Sequence, residues 1–92
     1  MSGTLRQVRV IYEGEVQGVG FRYTVCGIAG RLGVAGGVEN RNDGTVRLVA
    51  EGREETLKSL LLHIRASRLA PYIENERVEW GDAEGAAGFT YR

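Results

Sequence analysis

Apolar and polar residues alternate near the start of the chain. Val8, Val10 and Tyr12 stand against Arg9, Ile11 and Glu13, a period of two that predicts a strand over residues 5–13. Ile11 interrupts the polar set, so both faces of this strand are expected to be partly covered. From Phe21 the spacing becomes helical, with Phe21, Val25, Ile28 and Leu32 on one side and Gly33 as a stop signal. Gly27 and Gly30 lie inside this helix and each weakens it by about 1 kcal/mol relative to Ala, so packing must hold it. Ala35 to Asn40 reads as a weak strand because Gly36 and Gly37 are poor strand formers. Asn42-Asp43-Gly44 is a hairpin turn, and residues 45–51 return as a strand of mostly β-favouring side chains. The clearest helix covers residues 53–65, with Leu57, Leu60, Leu61 and Ile64 on one stripe. Glu54 and Glu55 near its start, and Arg65 and Arg68 near its end, complement the helix dipole. Pro71 stops further helix, residues 73–80 form the last main strand, and Phe89 to Tyr91 is expected to add a short terminal pairing.

The order βαββαβ predicts an α+β fold, a ferredoxin-like sandwich with a four-stranded antiparallel sheet and two helices on one face. The 92 residues fit a single domain over 1–92. Hydrophobic residues make up 42% and charged residues 26%, which suits a folded chain with a core. The formal net charge is zero, which argues against a nucleic-acid partner. It also means that a site for an anion must be built locally rather than by the field of the whole molecule. The single Cys26 suits a reducing compartment. The first residues carry no long apolar run, and no stretch reaches membrane-spanning length, so no membrane contact and a cytoplasmic location are expected.

Chemistry concentrates in Gly14-Glu15-Val16-Gln17-Gly18-Val19-Gly20-Phe21-Arg22. A strand ends, glycines punctuate a tight loop, and a helix begins at about Phe21. Backbone N–H groups in such a loop can converge on one point, where the helix N-terminus adds partial positive charge. Glycines admit the turn and the close approach of a ligand. Arg22 falls in the first helical turn, where a cation is unfavourable unless an anion sits there, and its guanidinium can fork onto two phosphoryl oxygens. Taken alone, the loop reads equally well as a glycine-rich connection beside a solvated arginine. Other phosphate motifs fit badly: the loop has no Lys for a Walker motif, no third glycine for a dinucleotide fingerprint, and Leu32 where a cysteine-based phosphatase loop would need Arg.

The loop resembles the signature of the acylphosphatase family. Gly37-Val38-Glu39-Asn40-Arg41-Asn42-Asp43-Gly44-Thr45-Val46 resembles the family's second segment, and the likeness continues through Val49-Ala50-Glu51-Gly52 and Val78-Glu79-Trp80 to Phe89-Thr90-Tyr91. The resemblance implies metal-independent hydrolysis of small acyl phosphates to carboxylate and inorganic phosphate by a monomer. It implies that Arg22 and the backbone amides of Glu15, Val16, Gln17, Gly18, Val19, Gly20 and Phe21 bind the phosphoryl group, and that Asn40 orients the attacking water. An amide suits that task because it holds water without titrating near neutral pH. The alternative is a non-catalytic module that binds phosphate or carbamoyl phosphate, like the related domain at the head of a larger hydrogenase-maturation protein. The shortness of the chain and the presence of Asn40 favour the enzyme.

Three positions depart from the family pattern. Glu15 brings a carboxylate near the loop and is expected to point outward. Gly37 replaces a common aromatic and is expected to loosen the strand before Asn40. Glu76 takes an apolar place on the face of Val78 and Trp80 and is expected at the sheet's exposed end. His63 is expected to be solvated, Cys26 a passive helix thiol, and Asp43 a turn residue. No His, Cys or carboxylate cluster has ligand spacing, so no metal or other cofactor is expected.

Overall fold

In the computed structural model, which describes residues 4–91, the strand and helix patterns of the sequence fold onto one another. The elements are β1 (Leu5–Gly14), α1 (Phe21–Leu32), β2 (Ala35–Asn40), β3 (Val46–Arg53), α2 (Glu54–Arg65), β4 (Ile73–Asp82) and β5 (Phe89–Tyr91), with a short 3-10 turn at Ala70–Tyr72. The reading of residues 1–92 as a domain extends to Met1–Gly3 and Arg92, which lie outside the described residues. The sheet runs β4-β1-β3-β2-β5. β1 pairs antiparallel with both β3 and β4, and β2 pairs antiparallel with β3.

The expected four-stranded antiparallel sheet is therefore corrected to five strands of mixed direction, because β5 joins β2 in parallel. Without β5, the glycine-rich β2 would present a bare row of backbone groups at the sheet edge. Gly36 N–H donates to Gly88 O at 2.8 Å as the chain arrives. A Cβ on Gly36, whose φ is 130°, would run into the Val49 carbonyl, so glycine here lets β2 lie tight against β3. Gly37 pairs with Val49 on one side and Thr90 on the other. β2 is thus paired on both edges over Gly36, Gly37 and Val38, while Glu39 and Asn40 pair with β3 alone.

The core follows from the two periods. Val8, Val10 and Tyr12 of β1, and Val46, Leu48 and Ala50 of β3, are buried on the sheet face that carries both helices. Leu57, Leu60 and Ile64 of α2 meet that face with no residual exposure, each worth about 1.5–3 kcal/mol of burial. α1 contributes Phe21, Val25, Ile28 and Ala29. The opposite face carries ion pairs of both signs: Arg9–Glu79 and Arg77–Glu13 at 3.4 Å and Arg47–Glu39 at 3.6 Å.

Two carboxylates do unexpected structural work. Glu76 lies opposite Tyr12 in the β1–β4 pairing, and its side chain is only 15% exposed. Arg65 at the end of α2 reaches it with an Nη2–Oε1 distance of 2.8 Å, so the carboxylate is paired rather than left at an open end. The Tyr12 hydroxyl is buried there without a hydrogen-bond partner, and burial first and the Glu76 charge second push its ionisation well above the ordinary range. Glu51, on the face of β3 away from the helices, is 6% exposed. Its carboxylate accepts the main-chain N–H groups of Glu84 (2.8 Å), Gly85 (3.0 Å) and Ala86 (2.9 Å), and the Gln7 amide at 2.7 Å. Those bonds, led by the Ala86 and Glu84 amides, hold its carboxyl below the usual carboxylate range. They also pin the segment that delivers β5 to β2.

Candidate active site

The loop between β1 and α1 is fixed at three buried points. Tyr12 and Phe21, from the end of β1 and the start of α1, pack with ring centroids 5.0 Å apart and planes at 55°. Val16, midway between them, is fully buried. Glu15 is exposed beside it, as expected.

Gly18 and Gly20 have φ of 80° and 78°, and Val19 between them does not share the positive φ. Alternation of this kind turns successive N–H groups toward one side of the chain. Gly20 is also the N-cap of α1 and offers no side-chain cap, and no acidic residue stands in the first turn. The first helical bond runs from Thr24 N–H to Gly20 O at 3.0 Å. The amides of Phe21, Arg22 and Tyr23 therefore have no intrahelical acceptor. Among the described residues, no carbonyl accepts a hydrogen bond from the amides of residues 15–23. α2 differs, with Glu54 and Glu55 in its first turn. The start of α1 is a concentration of unsatisfied donors and positive potential, suited to an oxyanion.

Arg22 is half-buried in that first turn, and its guanidinium carbon lies 5.6 Å from the centre of the Tyr91 ring. The β5 strand thus carries an aromatic face to the cation, which orients the guanidinium. One turn on, burial pushes the Cys26 thiol up, with the Arg22 charge opposing, so the thiol stays protonated and is a poor nucleophile. His63 is exposed on α2, with Nδ1 2.8 Å from Ser59 O. No group of three or more His, Cys, Asp or Glu side chains among the described residues is placed to hold a metal ion.

Asn40 is the last residue of β2, half-buried, and shares the helix-side face of the sheet with Val38 and its partner Val46. It borders a shallow depression with Glu39, Arg41, Asn42 and Asp43. The turn beyond it is closed by Arg41 N–H to Thr45 O at 2.9 Å, with Gly44 at φ 91°. Asp43 accepts from the Thr45 amide at 3.0 Å and hydroxyl at 2.6 Å, and the hydroxyl foremost holds its carboxyl below the usual range. Asp43 is a turn residue, as expected.

The loop and the hairpin are joined by a side chain whose role the sequence did not reveal. Gln17 Nε2 donates to Arg41 O at 2.7 Å and to Thr45 O at 2.9 Å, so both protons of one amide are spent on the turn that follows Asn40. Gln17 stood among the expected residues only for its main-chain N–H. Arg68 was also missed: it lies beyond the last residue of α2 and reaches back to the loop, donating to Val19 O at 2.7 Å. Neither contact leaves a local signal, because the partners are 24 to 49 residues away.

A family model described as Acylphosphatase matches residues 8–91. An acylphosphatase of Salinibacter ruber is 41% identical over 92 residues, covering 99% of this chain and 97% of that protein. The crystal structure of an acylphosphatase from Bacillus subtilis superposes with a TM-score of 0.88 at 36% identity, covering 95% of this chain and 98% of the other. HypF from T. kodakarensis is similar too, with a TM-score of 0.82 and 26% identity, but this chain spans only 12% of it.

Proposed function

This chain belongs to the acylphosphatase family and is an acylphosphatase, and on that premise we propose how its residues divide the hydrolysis of small acyl phosphates. The amides of Glu15 to Phe21 and the Arg22 guanidinium bind the phosphoryl oxygens. Asn40, carried to the loop by the hairpin that Gln17 clamps, holds the water in line with the scissile bond. The water oxygen bonds to phosphorus, the bridging P–O bond breaks, the carboxylate departs with the bond pair, and the water proton passes to a phosphate oxygen. Inorganic phosphate is the second product.

This assignment asks for no general acid, because a carboxylate leaving group is stable unprotonated near neutral pH. A loose phosphoryl-transfer transition state asks mainly for positioning and charge stabilisation, which fixed amides and a guanidinium supply. The observation that carries the reading is the run of amides without acceptors at residues 15–23, ending at a helix start that contains Arg22. The chain is read as one domain acting as a monomer in the cytoplasm, without metal or cofactor.

The test is turnover of acetyl or benzoyl phosphate in excess chelator. Undiminished hydrolysis is expected. Asn40→Ala should lower kcat about 10²–10³-fold while inorganic phosphate still binds as in the parent protein. Loss of turnover in chelator, or loss of phosphate binding in Asn40→Ala, would overturn the division of roles.

A further inference from the structure

Arg68 follows α2, and its guanidinium spans to the loop between β1 and α1. Nη2 donates to Val19 O at 2.7 Å and Nη1 to Thr24 Oγ1 at 3.2 Å. The same two nitrogens lie 3.6 and 3.9 Å from the place a Cβ would take on Gly20. Among the described residues, none of the ion pairs includes Arg68. Its donors are spent on a main-chain carbonyl and a hydroxyl rather than on a carboxylate.

The peptide between Val19 and Gly20 is trans, so the Val19 carbonyl and the Gly20 N–H point in opposite directions. We propose that Arg68 is a positioning residue: by holding the Val19 carbonyl outward it keeps the Gly20 N–H turned inward, toward the phosphoryl oxygens. The inference rests on the proposed phosphate role of the loop. Its physical need arises from the glycines themselves. Gly18 and Gly20 pass between left- and right-handed backbone at little steric cost, so the freedom that permits the inward amides also permits a peptide flip. A flipped Val19–Gly20 unit would aim a carbonyl oxygen at the anion. A charge-assisted bond to that carbonyl favours the binding orientation before substrate arrives.

The experiment compares the parent protein with Arg68→Ala, Arg68→Lys, Thr24→Val and Arg22→Gln. It measures inorganic phosphate affinity through the Gly20 amide resonance, steady-state hydrolysis of acetyl phosphate, and thermal unfolding. For Arg68→Ala, phosphate binding should weaken about tenfold. KM should rise in proportion with kcat within about twofold, and the Gly20 amide should respond less to phosphate. Arg68→Lys, which retains a charged donor, should recover most of the affinity, and Thr24→Val should change it less than about twofold. Unchanged phosphate affinity in Arg68→Ala, a loss that Lys does not restore, or a fall in kcat alone would overturn the proposal. So would a deficit that vanishes near 1 M salt, where charges are screened beyond about 3 Å, because Arg68 would then act only as a charge. Arg22→Gln separates the premises: if it too leaves phosphate affinity intact, the phosphate role of the loop fails; if it abolishes binding while Arg68→Ala does not weaken it, only the role of Arg68 fails.

Discussion

Residues 84–86 and residues 15–22 both concentrate main-chain N–H groups, but they differ in the source of the charge those groups face. Near the C-terminus the anion is the chain's own: the buried Glu51 carboxylate takes three successive amides from an exposed segment. At the start of α1 no carbonyl of the described residues accepts from the amides, and the first turn carries Arg22 and no acidic residue. A concavity filled from within is held shut by its own contents. One left open must be held in shape from outside, here by buried Tyr12, Val16 and Phe21, by Gln17 bonded to the hairpin, and by Arg68 bonded to Val19. The same donor chemistry yields a structural joint in one place and the proposed phosphate site in the other.

The contrast breaks most severely at Arg22. Arg22→Gln should lower kcat/KM for acetyl phosphate by about 10³-fold or more, with the thermal midpoint nearly unchanged, since Arg22 is not among the buried core residues. Glu51→Gln should do the reverse: stability falls by about 2–3 kcal/mol in urea unfolding, because three main-chain amides lose their charged acceptor, while phosphate affinity in the folded fraction stays within a few-fold. If both variants lost activity and stability together, the two concavities would not be independent.

The pH dependence of stability sharpens the comparison further. The Glu51 carboxyl is depressed in the folded chain, so its contribution is fully present above the unfolded carboxylate value near 4.5 and is lost as pH falls toward the lower folded value. Urea midpoints measured between about pH 3 and 7 should drop below about pH 4.5 in the parent and drop less in Glu51→Gln. The smallest effect is expected far from either concavity. Gly30 lies in α1 with open space where a Cβ would go, so Gly30→Ala should stabilise by about 0.5–1 kcal/mol without altering kcat.

What the sequence made legible was whatever repeats locally. The period-two run around Val8, Val10 and Tyr12 and the stripe of Leu57, Leu60, Leu61 and Ile64 place β1 and α2 within a residue or two of where they lie. The Gly14–Arg22 loop was singled out by its spacing and by resemblance, and Asn40 by resemblance alone. The parallel docking of β5 was not, because β2 and β5 choose each other across most of the chain. Glu51 occupied an ordinary outward position in β3, and only residues 33 to 35 positions later turn it into an anchor. Arg68 looked like a cation at a helix end for the same reason.

The Gln17 clamp has a consequence for how such a chain tolerates change. Both of its acceptors are main-chain oxygens, of Arg41 and Thr45, which every amino acid supplies. The side chain at 41 can therefore be exchanged without altering the spacing between the loop and Asn40, provided the turn keeps its length, whereas Thr45 also bonds Asp43 through its hydroxyl. An insertion or deletion of one residue there would move both oxygens at once and pull the two halves of the site out of alignment. The clamp reads the length of the hairpin rather than the side chain at 41.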